Sequence, residues 1–283
     1  MSLAAERLGL ESDARVLIVS CAGLGFSHAT NLAVYDALRR GAATSATLLV
    51  PAPWSRAAAA GYRGEDVGVQ LTLNAEHDLY RWGPITHAPS LLDGDGGFPR
   101  TVADVWDHAD LDEVRREWRA QLERAVLWGF DVSHLATHLD GVELKPEFFD
   151  VYLDLAEELR LPVRLPAADH ERLVGFPFRA LAAERGVLAP DRLLPASALG
   201  ATREAIDAAL ATLGPGCTEV TLRPAVDTPE LRAATDDWAG RVAEHELACR
   251  GELAEAARAA GVRLLGYRDL RAAMRSARAA SRR

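Results

Sequence analysis

Short runs rich in Val, Leu, Ile and Thr alternate along the whole chain with stretches whose apolar residues recur every three or four positions. The runs Arg15 to Ser20, Ser45 to Val50, Val67 to Leu73, Ser133 to His138, Pro162 to Leu165, Arg192 to Leu194, Thr218 to Leu222 and Val262 to Leu265 read as strands. Between them, Asn31 to Arg40, Leu111 to Trp128, Pro146 to Leu159, Thr202 to Leu213 and Pro229 to Ala260 read as helices. The helical pattern is plainest after Leu111. Val114, Trp118, Leu122 and Ala125 form one apolar stripe, Glu113, Arg116, Glu117, Arg119 and Glu123 fill the opposite face, and Asp110 is placed to cap the start. Pro146 opens the next helix, with Phe149, Leu153 and Ala156 on one stripe. Strand and helix in alternation predict a parallel sheet, and about eight such repeats favour closure. The expectation is an α/β fold with a single-domain, distorted (β/α) barrel of TIM-like type over residues 1–274, followed by an Arg- and Ala-rich tail, 275–283, without regular structure.

One stretch breaks the rhythm. Asn74 to Asp110 carries Trp82, Gly83, Pro84, Gly94, Gly96, Gly97 and Pro99 and little periodicity. A loop of that length inside a compact domain is usually a binding loop or lid. Because it follows the third strand, it should overhang the C-terminal face of the sheet, where barrel sites are built. Glu76, His77 and Trp82 in this loop are therefore candidate substrate contacts, with Asp78, Tyr80 and Arg81 at its rim. Trp54 is a candidate for stacking on a ligand, whereas Trp106, Trp118 and Trp128 suit packing. His28 is a candidate pocket residue beside the first strand, and Ser27 or Thr30 equally suits a helix start.

The candidate chemistry is densest in Val132 to Gly141. His134 and His138 are an even number apart, so in a strand they share a face. His138 and Asp140, at the strand's end, are the candidate catalytic pair, and His134 reads as a structural strand residue. The net charge of −9 and a pI near 5.4 disfavour phosphate backbones, so nucleic acid is not an expected partner. Cys21, Cys217 and Cys249 are too few and too scattered for a disulfide framework or a zinc ribbon. The start of the chain has no leader pattern, and no apolar run approaches the roughly 20 residues a membrane span needs. A cytoplasmic protein acting on a small molecule is expected, with no membrane partner and with homodimerisation left open.

Several stretches carry a resemblance. Leu17-Ile18-Val19 followed by Leu24-Gly25 and Ser27-His28, then Thr44 to Val50, Val67 to Asn74, Ser90 to Asp93, the His134 to His138 segment and Leu222-Arg223-Pro224-Ala225 occur in the order seen in YdjC-like (ChbG/HpnK-type) carbohydrate deacetylases. The resemblance implies a distorted barrel, a divalent metal at the strand C-termini and removal of an N-acetyl group from an amino sugar. The chain departs from the pattern at the chemistry. Ala22 and Gly23 stand where the family motif has two carboxylates, Gln70 where it has a histidine, Ala136 where it has an acid, and Arg223 where it has a histidine; Arg192 replaces another histidine. Of the ligand set so implied, His138 remains. A catalytic ion of that type needs about three protein ligands.

The expected function is therefore a metal-independent enzyme, with no metal and no cofactor, built on a deacetylase scaffold. It would perform acid–base or cyclisation-type tailoring of a small polar or specialised metabolite. His138 serves as general acid or base, Arg223 stabilises negative charge, Asp140 assists and Gln70 orients the substrate. Two alternatives remain: a non-catalytic binding scaffold, and a metal-dependent deacetylase whose site is rebuilt around His138 with Asp140, or with His134 if the strand is bulged.

Overall fold

The first strand, β1 (Arg15–Leu24), is a ten-residue run buried along almost its whole length, as befits a strand covered on both faces in a parallel sheet. The computed structural model describes residues 3–166 and 168–280. Around β1 stand β2 (Ser45–Leu48), β3 (Val67–Leu71), β4 (Val132–Thr137), β5 (Arg192–Pro195), β6 (Gly216–Leu222) and β7 (Val262–Leu264), every pairing parallel, in the order β4-β3-β2-β1-β6-β5. Two strands divide one edge of β1. β7 pairs with Arg15–Leu17 and β2 with Ser20–Leu24, while β6 runs along the other edge from Arg15 to Cys21. The helical connections pack outside and leave the strand C-termini on one face.

Helix boundaries follow local chemistry. The helix expected from Asn31 begins at His28, because Ser27 Oγ caps it by accepting from the Thr30 backbone N–H at 3.0 Å. The segment read as one helix from Pro229 to Ala260 is three, Pro229–Ala234, Trp238–Cys249 and Glu252–Ala259. Extended Thr235 and left-handed Gly251 separate them. The tail read as unstructured is helical as far as Ala280 in the helix Tyr267–Ala280, and residues 281–283 lie outside the described residues. Among the described residues no helix is long and apolar enough to cross a membrane.

The expected strand from Pro162 to Leu165 does not form. A single bridge, Leu135 to Val163, reaches β4, and Val163 N–H turns instead to Leu188 O at 2.8 Å. Pro162 and Pro166 supply no N–H, so a ladder cannot propagate through the segment. The sheet is barrel-like, with no ladder between β4 and β5 among the described residues. Side chains span that interval: the Arg179 guanidinium donates to Leu165 O, Pro166 O and Pro190 O at 3.1, 2.9 and 2.9 Å.

The long loop after β3 is tied down rather than loose. Trp82 Nε1 donates to Asn74 O at 2.8 Å, and Arg81 pairs with Asp93 and donates to Phe98 O. The helix Leu111–Leu127 supplies the strongest anchors. Glu117, placed by sequence on a solvent face, is fully buried and accepts from Ile85 N, Thr86 N and Thr86 Oγ1 at 3.1, 3.0 and 2.6 Å. Glu113 likewise accepts from Ser90 N and Oγ. The polar stripe of this helix is thus the face that holds the loop.

Candidate functional site

The C-terminal ends of β1, β3, β4, β5 and β6 converge on a cavity of about 400 Å³. Ala22 and Gly23 line it from an irregularity in β1, where Cys21 pairs with Ala46 but Leu24 with Leu48, one extra residue on the β1 side. A bulge of this kind re-aims side chains at a sheet rim. Here it presents a methyl group and a bare backbone. Gln70 enters from β3, Thr221 and Arg223 from β6, Glu76 from the loop above, and Arg241 and Glu244 from the helix Trp238–Cys249.

His138 stands just past β4, and the chain reverses there through Leu139 and Asp140 at φ of 65° and 45°. Such left-handed conformations cost a non-glycine residue roughly 1–2 kcal/mol and are found where the surroundings hold a functional group in place. Both ring nitrogens of His138 are engaged. Thr47 Oγ1 donates to Gln70 Oε1 at 3.4 Å, which turns the amide so that its Nε2 donates to His138 Nδ1 at 3.3 Å. The ring proton then belongs on Nε2, facing Glu76 Oε2 at 2.8 Å. Burial pulls the Glu76 pKa upward, but the hydrogen bond and charge of His138 outweigh it and bring the carboxyl down to about 2. The result is a Thr47–Gln70–His138–Glu76 chain ending in a carboxylate.

A second polar network lies behind the cavity. Arg164 donates to Asp140 at 2.7 Å, and its Nε is 3.7 Å from Glu219, which accepts from Tyr267 OH at 2.6 Å. His134 is stacked on Tyr267 with ring centroids 3.6 Å apart, and burial drives its pKa far down, so the ring is neutral. Gly68 makes that position available, since a Cβ there would lie 2.4 Å from His134 Nδ1. His134 lies within β4, whose register with β3 is irregular between Val132 and Leu135, whereas His138 stands one residue past the strand. His134 is a packing residue below the site. Glu143 is fully enclosed and accepts from Thr137 Oγ1 at 2.6 Å; burial and the nearby Asp140 charge raise its pKa to about 7.

The arginines differ in how they are held. Arg223 is half-exposed at the rim, pairs with Asp237 at 3.0 Å, and its backbone N–H donates to Glu244. Arg241 is 7% exposed, lies 4.9 Å over the Phe26 ring, and has an Nε with no hydrogen-bond partner among the described residues. Its closest ion-pair contact is Asp237 at 3.9 Å. A buried guanidinium so poorly supplied with acceptors is suited to donate to a ligand's oxygens.

Five candidates read from the sequence therefore meet in one cavity: Gln70, Glu76, His138, Asp140 and Arg223. Four do not. His28 and Trp54 face each other at 5.1 Å in a second cavity of about 680 Å³, between the helices His28–Arg40 and Ser55–Gly61. Trp82 is buried and set edge-on to His138 at 5.9 Å, so it packs behind the imidazole instead of offering a stacking face. His77 packs against Phe26 at 5.3 Å and is absent from the cavity wall. Sequence reasoning missed Arg164, Arg241 and Glu244. Arg164 lies in a segment without a strand ladder, whereas Arg241 shares a helical stripe with buried Ala248 seven residues on, a signal that it points inward.

As metal donors these residues are a poor set. Ala22 and Gly23 offer no side-chain donor, His138 is bonded at both nitrogens, and Asp140 is paired with Arg164. Among the described residues, no three His, Cys, Asp or Glu ligand atoms of this cavity lie within 4.8 Å of one another.

The chain is similar to known proteins over most of its length. The model of the family described as YdjC-like protein matches residues 16–259. A carbohydrate deacetylase of Thermus thermophilus is 36% identical over 253 residues, covering 85% of this chain and 88% of the relative. A carbohydrate deacetylase of Brevibacillus brevis is 37% identical over 154 residues, 53% of this chain and 59% of the relative. Among solved structures, a protein of Enterococcus faecalis V583, provisionally designated a cellobiose-phosphate cleavage protein, superposes with a TM-score of 0.75 at 25% identity, covering 91% of this chain and 99% of that one. The family match, the relative's identity and the overall fold agree: the chain belongs to the YdjC-like family of carbohydrate deacetylases.

Proposed function

We propose that this family member acts on a small carbohydrate-type ligand by acid–base chemistry at His138, without a protein-held divalent ion. The observation that carries the reading is the Gln70–His138–Glu76 chain beside Ala22 and Gly23. Gln70 fixes the imidazole tautomer. A ligand hydroxyl or amide that enters between His138 and Glu76 meets the Nε2 proton on one side and a carboxylate on the other. In the protonated ring, with the Gln70 amide turned so that Oε1 accepts from Nδ1–H, His138 gives the Nε2 proton to the ligand and is left as the neutral Nδ1–H imidazole. On the return step Nε2 takes a proton back and Glu76 stabilises the imidazolium re-formed, while Arg241 and Arg223 face negative charge that develops on the ligand. Asp140, held by Arg164, keeps the turn in place. The relatives' names support the ligand class, and the cavity's size suits one or two sugar-sized groups. Within this reading the reaction is a tailoring or ring-closing step on a polar metabolite.

Full saturation of the His138 nitrogens favours a second reading, a binding scaffold that performs no chemistry. One experiment separates the readings. N-acetylated amino sugars, chito-oligosaccharides and phosphorylated disaccharides are offered to the protein before and after dialysis against a chelator, and both acetate and ligand loss are followed. Turnover that survives chelation and falls by roughly 10²–10⁴-fold in His138→Ala is expected. Turnover unaffected by His138→Ala, or acetate release that requires a divalent ion, overturns the proposal; binding with no turnover selects the scaffold.

A further inference from the structure

Away from the strand ends, the helices His28–Arg40 and Trp238–Cys249 run together at unusually close quarters. Gly41 follows the first helix, and a Cβ there would lie 2.4 Å from Ala248 O. Ala42 N donates to the same carbonyl at 2.9 Å, so the helices are locked backbone to backbone. Beside this lock stand Asp36 from one helix and His245 and Cys249 from the other, the last two sharing a face at i and i+4. Asp36 Oδ2 is 3.2 Å from His245 Nε2 and 3.6 Å from Cys249 Sγ, and all three ligand atoms lie within 4.8 Å of one another. Two protons, one from an imidazole and one from a thiol, therefore converge on a single carboxylate oxygen.

We propose that Asp36, His245 and Cys249 form a three-ligand site for a divalent transition ion of the zinc class, separate from the cavity at His138. With bonds of about 2.0–2.3 Å, neighbouring ligands of a tetrahedral ion stand roughly 3.3–3.6 Å apart, so two edges of the cage already have the required length. Thiolate, imidazole and carboxylate together suit zinc or cobalt and not magnesium or calcium. On binding, the ion takes the place of the two converging protons: the thiol proton leaves to solvent, and the imidazole proton moves from Nε2 to Nδ1. Arg40 engages the other oxygen of Asp36, which orients Oδ2 toward the cage. All three residues are half-buried, so an ion has access and a fourth position for water. Burial holds the His245 pKa down, which keeps the imidazole neutral and able to coordinate, and holds the Cys249 thiol up, so the ion itself must displace that proton.

The test is titration of the full chain, stripped with a chelator and dialysed, with Co²⁺ and then Zn²⁺. About one equivalent of Co²⁺ is expected to give the intense visible absorption of a tetrahedral ion together with a near-ultraviolet thiolate-to-cobalt band, both erased by Zn²⁺. Cys21 and Cys217 are buried in strands and cannot supply that thiolate. Cys249→Ser should remove the near-ultraviolet band and weaken Zn²⁺ binding by at least roughly 100-fold, His245→Gln should abolish the tetrahedral signature, and His138→Ala should leave both intact. A parent chain that shows no thiolate band in excess Co²⁺ overturns the site whatever the variants do. So does a band that persists in Cys249→Ser.

Discussion

Two glutamates near His138 are driven in opposite directions by their surroundings. Glu76 faces the imidazole and is held ionised, whereas Glu143 is sealed in with Asp140 nearby and holds its proton up to about pH 7. For Glu143 the folded value lies above the ordinary carboxyl value of 4.5. Between those values the folded chain keeps a proton that the unfolded chain has released, so stability declines as pH rises through that window and the penalty is complete above it. Glu143→Gln retains an acceptor for Thr137 and removes the penalty. It should stabilise the protein by about 1–3 kcal/mol near pH 8, with the gain vanishing near pH 4.5, as read by urea unfolding at both pH values. A gain that does not depend on pH would refute this. At this scale the sequence pointed to His138 and Asp140 because they stand at a strand's end, and to Gln70 because the family resemblance singles out its position. It did not reveal the state of Glu143, because burial by distant residues sets that pKa.

At the scale of elements, the helix Leu111–Leu127 was legible almost to the residue, cap included: Asp110 accepts from the N–H groups of Asp112 and Glu113. What its polar face does was not. Glu113 and Glu117 look like solvent residues by periodicity, yet they satisfy the backbone donors of a loop 23 to 32 residues away in sequence. Periodicity distinguishes apolar from polar faces but not water from a polar partner. Glu117→Ala should leave Ile85 N, Thr86 N, Thr86 Oγ1 and one of the two Gln121 Nε2 hydrogens unmatched, costing about 2–5 kcal/mol and raising hydrogen exchange selectively at residues 83–90. If exchange there stays at the parent level, the anchoring role is wrong. Because Glu76 hangs from the same loop, the helix indirectly sets the carboxylate that meets His138.

For the whole molecule, the weak point is the interval between β4 and β5, where prolines forbid a ladder and Arg179 joins carbonyls from both sides. Arg179→Met keeps the aliphatic stem but strands three carbonyl acceptors. It should cost about 2 kcal/mol or more, with loss of protection concentrated in residues 160–191; a uniform loss would place the interval inside the cooperative core. The sequence by itself determined the strand and helix alternation, the parallel sheet, the long loop and the family, since these depend on local periodicity and on residues read in order. Only the tertiary structure decided which polar groups meet. It separated His28 and Trp54 from the site, brought in Arg164 and Arg241, left β4 and β5 without a ladder among the described residues and set Asp36 beside His245 and Cys249. Side-chain encounters across tens to hundreds of residues follow from how helices settle on a curved sheet, and that geometry is absent from any local pattern.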